Sequence, residues 1–388
     1  MLAVTFASSV GGSTVWSFVG IWAIERLHAR QSAVGLAFLI SAAVGAATGY
    51  LGGHLSDHVG RRPLILISWA CQVVLILGFL AAGGRELFGL GLVCLGGLTF
   101  QIGNAASQAM IADLVAPERH EQAYSAVRVA ANLGVTLGPP TGGLLLALGS
   151  WSALFAGAAA LFLGGFVLAL RFLPRQGAYA PTEPPTRHSF GVIARDRPFL
   201  LFLFSSGLAW LVYVSFEVVL PISLVDAHGF SPSTWGFLVI VNPVMVTLFQ
   251  LRLMRLVGRV PAALKLAAAL PLMGFPFLLL SVADALPFVA LMILVFVLGE
   301  MLWVPTSQTI VAGLAPADVR GAYMGVFGSM AAVGFALAPF IGLQVRQSFG
   351  DAAVWACVAG LSVVAAATGA AACRVALGRG ARPASATT

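Results

Sequence analysis

A chain of 388 residues that is 59% hydrophobic and only 9% charged, with a mean hydropathy of +0.96, is not an ordinary water-soluble domain, in which about a quarter of residues are charged. The net charge of +7 does not point to nucleic acid. No basic run with interleaved aromatics occurs away from the flanks of apolar segments, and an excess of this kind suits basic loops on one side of a membrane.

Taken in order, apolar runs of about twenty residues, long enough to cross a bilayer core as helices, predict twelve transmembrane helices. Six are centred near Ser13, Ala43, Val73, Phe100, Gly134 and Ala160, and six near Trp210, Val244, Met273, Glu300, Ala331 and Val363. The expected fold is an all-α membrane protein of two six-helix bundles, residues 1–173 and 198–374, joined by a cytoplasmic linker over 174–197. Residues 375–388 read as a disordered tail. The first run lacks a basic stretch before it and is followed by many spans, so a cleaved signal peptide is not expected. Placing both termini in the cytoplasm puts all of the 21 Lys and Arg except Arg26, Arg30, Arg85 and Arg346 on the inner side. That is the bias of a multi-pass protein of the plasma (cytoplasmic) membrane.

Between the second and third helices lies Gly53-x-Leu55-x-Asp57-x-x-Gly60-Arg61-Arg62. Gly60 permits the backbone angles of a sharp reversal. Asp57 stands at a helix C-terminus, where the macrodipole disfavours negative charge, so it needs a cation or the N-terminus of another helix as partner. An internal repeat runs at an offset near 200. Gly60-Arg61 matches Gly258-Arg259, and Pro117 with Ala123-Tyr124 matches Pro316 with Ala322-Tyr323. Gly134-x-x-x-Gly138-Pro139-x-x-Gly142-Gly143 matches Gly334-x-x-x-Ala338-Pro339-x-x-Gly342, while the second copy of the turn has no acid between Leu251 and Arg259.

The turn resembles the signature loop between helices 2 and 3 of the major facilitator superfamily, whose two halves are parallel six-helix repeats. The resemblance implies that Asp113 pairs with Arg61 while Asp57 faces the start of helix 11, latching the two halves. Glycines at i, i+4 and i+8 make a smooth stripe for close helix packing. Followed by Pro139, that stripe is similar to the family's antiporter motif, typical of exporters that exchange substrate for protons. One departure is plain: drug exporters of this family often carry an Arg within helix 4, but Leu90 to Ile111 contains no basic residue.

The chemistry is expected at Glu217 in helix 7 and Glu300 in helix 10, both near the bilayer midplane, where an ionisable side chain normally faces a cavity or a partner. The family's central cavity is lined by helices 1, 4, 7 and 10. Helical spacing puts Ser206, Trp210, Tyr213 and Glu217 on one face, and Glu300, Trp303 and Ser307 on another. Gln101, Asn104 and Gln108 on helix 4, with Ser13 and Trp16 on helix 1, complete the expected lining. Aromatic walls with two carboxylates suit cationic or neutral lipophilic substrates, and a low-dielectric site favours the protonated form of a carboxyl. Glu217 and Glu300 are therefore the proton-coupling candidates.

Enzymatic readings fare poorly. The only Lys is Lys265, so there is no Walker loop to use ATP. The four cysteines, Cys71, Cys94, Cys357 and Cys373, and the six histidines lack disulfide-framework or metal-ligand spacing. No catalytic residue, metal or cofactor is expected. The expected protein is a monomeric secondary transporter whose partners are a small-molecule substrate, protons and the lipid bilayer, working as a proton-coupled antiporter of the multidrug-efflux type. A symporter or facilitator for a small nutrient is the alternative, and a transport-inactive membrane sensor a third.

Overall fold

The computed structural model describes residues 1–147, 150–174, 189–230, 234, 238–281 and 285–380, and the secondary structure among them is helical throughout. The first half comprises α1 (Leu2–Trp16), α2 (Val19–Leu27), α3 (Gln31–Val59), α4 (Arg61–Ala82), α5 (Glu86–Leu114), α6 (His120–Ala147) and α7 (Trp151–Phe172). After the short α8 (Ser189–Arg195) come α9 (Arg197–Val214), a π-helical turn (Ser215–Val219) and α10 (Leu220–Asp226). The remainder is α11 (Val241–Leu256), α12 (Ala262–Gly274), α13 (Leu286–Leu314), α14 (Arg320–Phe349) and α15 (Asp351–Gly380).

Ten helical segments are long and apolar enough to cross a membrane. Among them α1 with α2, and α9 with the π-turn and α10, each form one span. The helices α6, interrupted by Pro139 and Pro140, and α11 complete the twelve. Exposed Leu51, Ile67, Val74, Leu144, Phe172, Leu248 and Phe340 put hydrocarbon on the outside, which only a lipid environment stabilises. The chain is a multi-pass all-α membrane protein.

The described residues fall into two compact units, one from residues 1–187 with 316–332 and one from residues 188–315 with 333–388. Within the first, α3 and α4 pack on α5, α1 on α6 and α7, and α4 on α7. Within the second, α11 and α12 pack on α13, and α9 and α12 on α15. Apart from α1 on α6, these are corresponding pairs, so the repeat in sequence becomes a repeat in packing. Residues 175–188 of the expected linker and 381–388 of the expected tail lie outside the described residues. The helix α15 runs to Gly380, past the expected start of that tail, and α8 occupies the end of the expected linker.

Close helix approach explains the glycine stripe. A Cβ at Gly134 would overlap Ser9 and the Phe6 carbonyl, one at Gly138 would meet Ser13 and Thr14, and one at Gly142 would meet Phe18. The stripe is thus the seat for α1 and the residues after it. Hydroxyls then cross the seam: Thr14 Oγ1 donates to the Gly138 carbonyl at 3.1 Å and Ser13 Oγ to that of Gly134 at 3.3 Å. In the second unit, Gly334 lies against Trp210 and Gly342 against Val219, the same seam one repeat later.

Proline creates a second requirement. Pro305 lies inside α13 and has no N–H for the carbonyl four residues back, that of Met301. Gln250 on α11, fully buried, supplies the missing donor, its Nε2 bonding the Met301 carbonyl at 2.8 Å.

Candidate functional site

Two constellations of buried charge stand out, one in each unit. In the first, the chain reverses at Gly60, whose φ of 100° lies in the region glycine adopts without strain. This puts Arg61 at the start of α4, one turn past Asp57. Arg61 Nη1 donates to Asp57 Oδ1 and to Ser56 Oγ, and Arg61 Nε donates to Asp113 Oδ2 at 3.0 Å. Asp113, at the end of α5, also accepts from Arg320 Nη1. Asp57, only 4% exposed, takes two backbone bonds from the first turn of α14: Gly321 N–H to Oδ1 at 2.8 Å and Ala322 N–H to Oδ2 at 2.9 Å. A helix N-terminus offers unpaired N–H groups and the positive end of the macrodipole. Gly53 and Gly321 let the two helices meet, since a Cβ at either would overlap the other's carbonyl. Asp57, Arg61, Asp113 and Arg320 therefore form a linked chain of two acids and two bases whose formal charges sum to zero. Arg62 points elsewhere, its Nη2 donating to the Leu170 carbonyl at 2.6 Å.

The second constellation lies on α9, the π-turn, α11 and α13. Glu300 is 2% exposed, and Asn242 Nδ2 of α11 donates to its Oε2. Glu217 sits in the π-turn, an extra-residue turn frequent at functional sites, and accepts a 3.3 Å bond from Tyr213 Oη on Oε1. Tyr213 links the two: it bonds Glu217, and its ring lies 6.4 Å between centroids from that of Trp303, one turn past Glu300. Aromatic rings wall them. Trp210 meets Trp303 edge-on at 5.4 Å and Tyr213 at 5.2 Å, and Phe216 stacks on Phe296 at 4.2 Å between ring centroids. Trp210 Nε1 and the fully buried Ser307 Oγ have no hydrogen-bond partner among the described residues, which leaves a donor and a hydroxyl for a ligand to meet.

The remaining candidates do not gather in the same way. In the first unit Trp16 packs edge-on to Phe38 and Phe79 and over Gly96, as part of an aromatic core. Ser13 is engaged with α6. Gln101 lies beside Gly45, Asn104 is half-buried, and the backbone carbonyl of Gln108 accepts from Tyr124 Oη. Gly143 has open space where a Cβ would be, so it is no part of the α1 seat.

Two participants escape a reading of the sequence, Asn242 and Arg320, whereas the N–H groups of Gly321 and Ala322 lie at the helix start that Asp57 was expected to face. Arg320 had a signal, the repeat that puts a helix start just after Pro316. Asn242 had none beyond being an amide in an apolar run. At the end of helix 7, Asp351 accepts from Ser223 Oγ and Trp355 Nε1 at 2.8 Å each, and Arg346 bridges Asp351 and Asp226. Among the described residues, no three His, Cys, Asp or Glu side chains gather as a metal site.

Comparison with known proteins agrees with this architecture. The profile of the Major Facilitator Superfamily matches residues 1–339. The chain is 25% identical to the multidrug resistance protein MdtH of Klebsiella pneumoniae (strain 342), over 81% of this chain and 78% of that one. It is 23% identical to a Na(+), Li(+), K(+)/H(+) antiporter of Planococcus maritimus, over 87% and 86%. Among solved structures it resembles the human organic anion transporter MFSD10 (TETRAN), with a TM-score of 0.77 at 18% identity, covering 95% of this chain and 98% of that one. At that identity the likeness speaks for the fold.

Proposed function

The chain belongs to the major facilitator superfamily and is a membrane transporter rather than an enzyme, and on that premise we propose that it is a proton-coupled antiporter exporting small lipophilic or cationic compounds. The observation that carries the reading is the Glu217–Glu300 pair, two carboxyls buried among aromatic rings and held by the neutral donors Tyr213 and Asn242. Ionising both in an apolar environment is costly, so the site favours a proton or a substrate cation as its counter-charge. A cation arriving beside the pair stabilises the ionised forms and expels a proton. A proton returning from the other side expels the cation. That alternation is antiport.

Around it, Trp210, Tyr213 and Trp303 offer ring faces of the kind that attract lipophilic cations, and Trp210 Nε1 and Ser307 Oγ offer hydrogen bonds. Alternating access comes from rocking of the two halves. The Asp57–Arg61–Asp113–Arg320 chain acts as a latch that must open once per cycle. The Gly134–Gly138–Pro139–Gly142 seam holds α6 rigidly on α1 and supports the exporter reading. Named relatives that resist drugs or exchange cations for protons point the same way. The protein works as a monomer in the cytoplasmic membrane with both termini inside.

The test is a substrate screen in inverted membrane vesicles with a pH-sensitive dye in the lumen. Lipophilic cations are expected to release protons from the lumen as they enter, in wild type and not in the Glu217→Gln/Glu300→Gln double variant. Substrate entry with no movement of protons would leave a uniporter instead.

A further inference from the structure

Glu217 stands in the one π-turn among the described residues, Ser215–Val219, between two α-helical stretches of the same span. At its end the Leu220 N–H donates to the Ser215 carbonyl, five residues back rather than four. The next residue is Pro221, in the first turn of α10. We infer that Pro221 is a positioning residue: it fixes the π-turn, and with it the direction in which Glu217 enters the aromatic site.

The backbone supplies the cause. In an unbroken α-helix the Glu217 carbonyl would face the Pro221 nitrogen, which carries no hydrogen and whose ring collides with that carbonyl. In a bilayer interior an unanswered carbonyl is costly. One extra residue in the turn widens the backbone there and relieves the collision.

Packing against α14 counts the same residue. Gly334 lies against Trp210 and Gly342 against Val219, so eight positions on α14 match nine on helix 7. The π-turn falls within those nine. In the first unit the unbroken part of the seam runs four for four, Ser9 with Gly134 and Ser13 with Gly138. Without the extra residue, everything beyond the turn would rotate by about 100°, the step of one α-helical residue. Val219 would turn away from Gly342, and Ser223 Oγ from Asp351 Oδ2, which it meets at 2.8 Å.

The turn also aims Glu217. An α-helix would set Glu217 almost above Trp210, seven residues and about two turns earlier. A wider turn rotates less per residue, so Glu217 lags toward Tyr213, whose Oη donates to it at 3.3 Å. Its neighbour Phe216 is fully buried and stacks on Phe296 of α13, which holds the turn in place. The consequence for transport rests on the antiporter reading, whereas the shape of the turn is measurable without it.

The experiment joins a crystal structure of Pro221→Ala to pH-gradient-driven transport of tetraphenylphosphonium in proteoliposomes. With an N–H restored at position 221, Leu220 is expected to bond the Phe216 carbonyl, as in an α-helix. Transport is expected to fall ~10-fold or more, since small misplacements of a reacting group are costly. Adding Pro221→Ala to Glu217→Gln is expected to lower transport no further, because both act through one carboxyl. Should the Ala variant fold poorly, Pro221→Ser supplies the same N–H. A π-turn kept in these variants overturns the inference. So do losses that multiply in the double variant, or wild-type transport in Pro221→Ala where Glu217→Gln is impaired. Should Glu217→Gln itself transport like wild type, the antiporter reading fails and the structural result alone decides the role of Pro221.

Discussion

The first unit and the second each bury carboxylates, but they neutralise them in opposite ways. Asp57 and Asp113 are matched by Arg61, Arg320 and the backbone N–H groups that open α14. Every charge there has a fixed protein counter-charge within the same unit. Glu217 and Glu300 take hydrogen bonds from a phenol and an amide, which orient a carboxyl without cancelling its charge. A site whose charges are matched within itself fits the latch proposed above. On the antiporter reading proposed above, the second is the site that exchanges a proton for a cation.

The contrast is broken or sharpened by substitution, beginning with the strongest effect. Glu217→Gln and Glu300→Gln are each expected to lower pH-gradient-driven transport in proteoliposomes by ~100-fold, the scale on which loss of a proton-transfer group acts, with little change in melting temperature in detergent. Near-normal transport in both would erase the functional half of the comparison. Asp57→Asn should do the converse to the fold. Breaking a buried ion pair leaves Arg61 under-compensated and is expected to cost about 3 kcal/mol, the lower end for such pairs because Asp113 still holds Arg61. Thermal unfolding reads this, and a melting temperature equal to wild type would show that the latch is not a stabilising contact.

Smaller effects test the repeated seam. Gly138→Ala pushes a methyl into Ser13 and Thr14, and about 1–3 kcal/mol of overpacking is expected. The second copy already carries Ala338 there, so Ala338→Gly should cost less than about 1 kcal/mol. Equal losses in the two variants would mean that the seams are packed alike. The smallest effect is expected of Gln250→Leu, which leaves the Met301 carbonyl beside Pro305 without its donor. About 1 kcal/mol is expected, seen as a modest drop in melting temperature with transport retained.

Much of the architecture was legible because it follows from local chemistry. Twenty-residue apolar runs must be helices in a bilayer, since each backbone polar group has to be satisfied within its own segment. The glycines of α6 are spaced for one face, and that face is where α1 sits. Asp57 at a helix C-terminus announced that it needs an outside partner. Less visible were the π-turn around Glu217, which depends on how one extra residue is absorbed, and the jog between α1 and α2 at Ser17–Phe18. Trp16 was read as a cavity residue from its face of the helix, whereas the structure packs it over Gly96.

The sequence by itself determined the spans, their repeat, the sharp turn at Gly60 and the two acids in helices 7 and 10, because hydropathy, glycine and charge act over a few residues. Only the tertiary structure decided what each buried charge meets. Arg320 lies 207 positions from Asp113, and Asn242 lies 58 from Glu300. No local periodicity reports such distances. A buried charge left unpaired is too costly to persist, so the fold is held to these distant meetings.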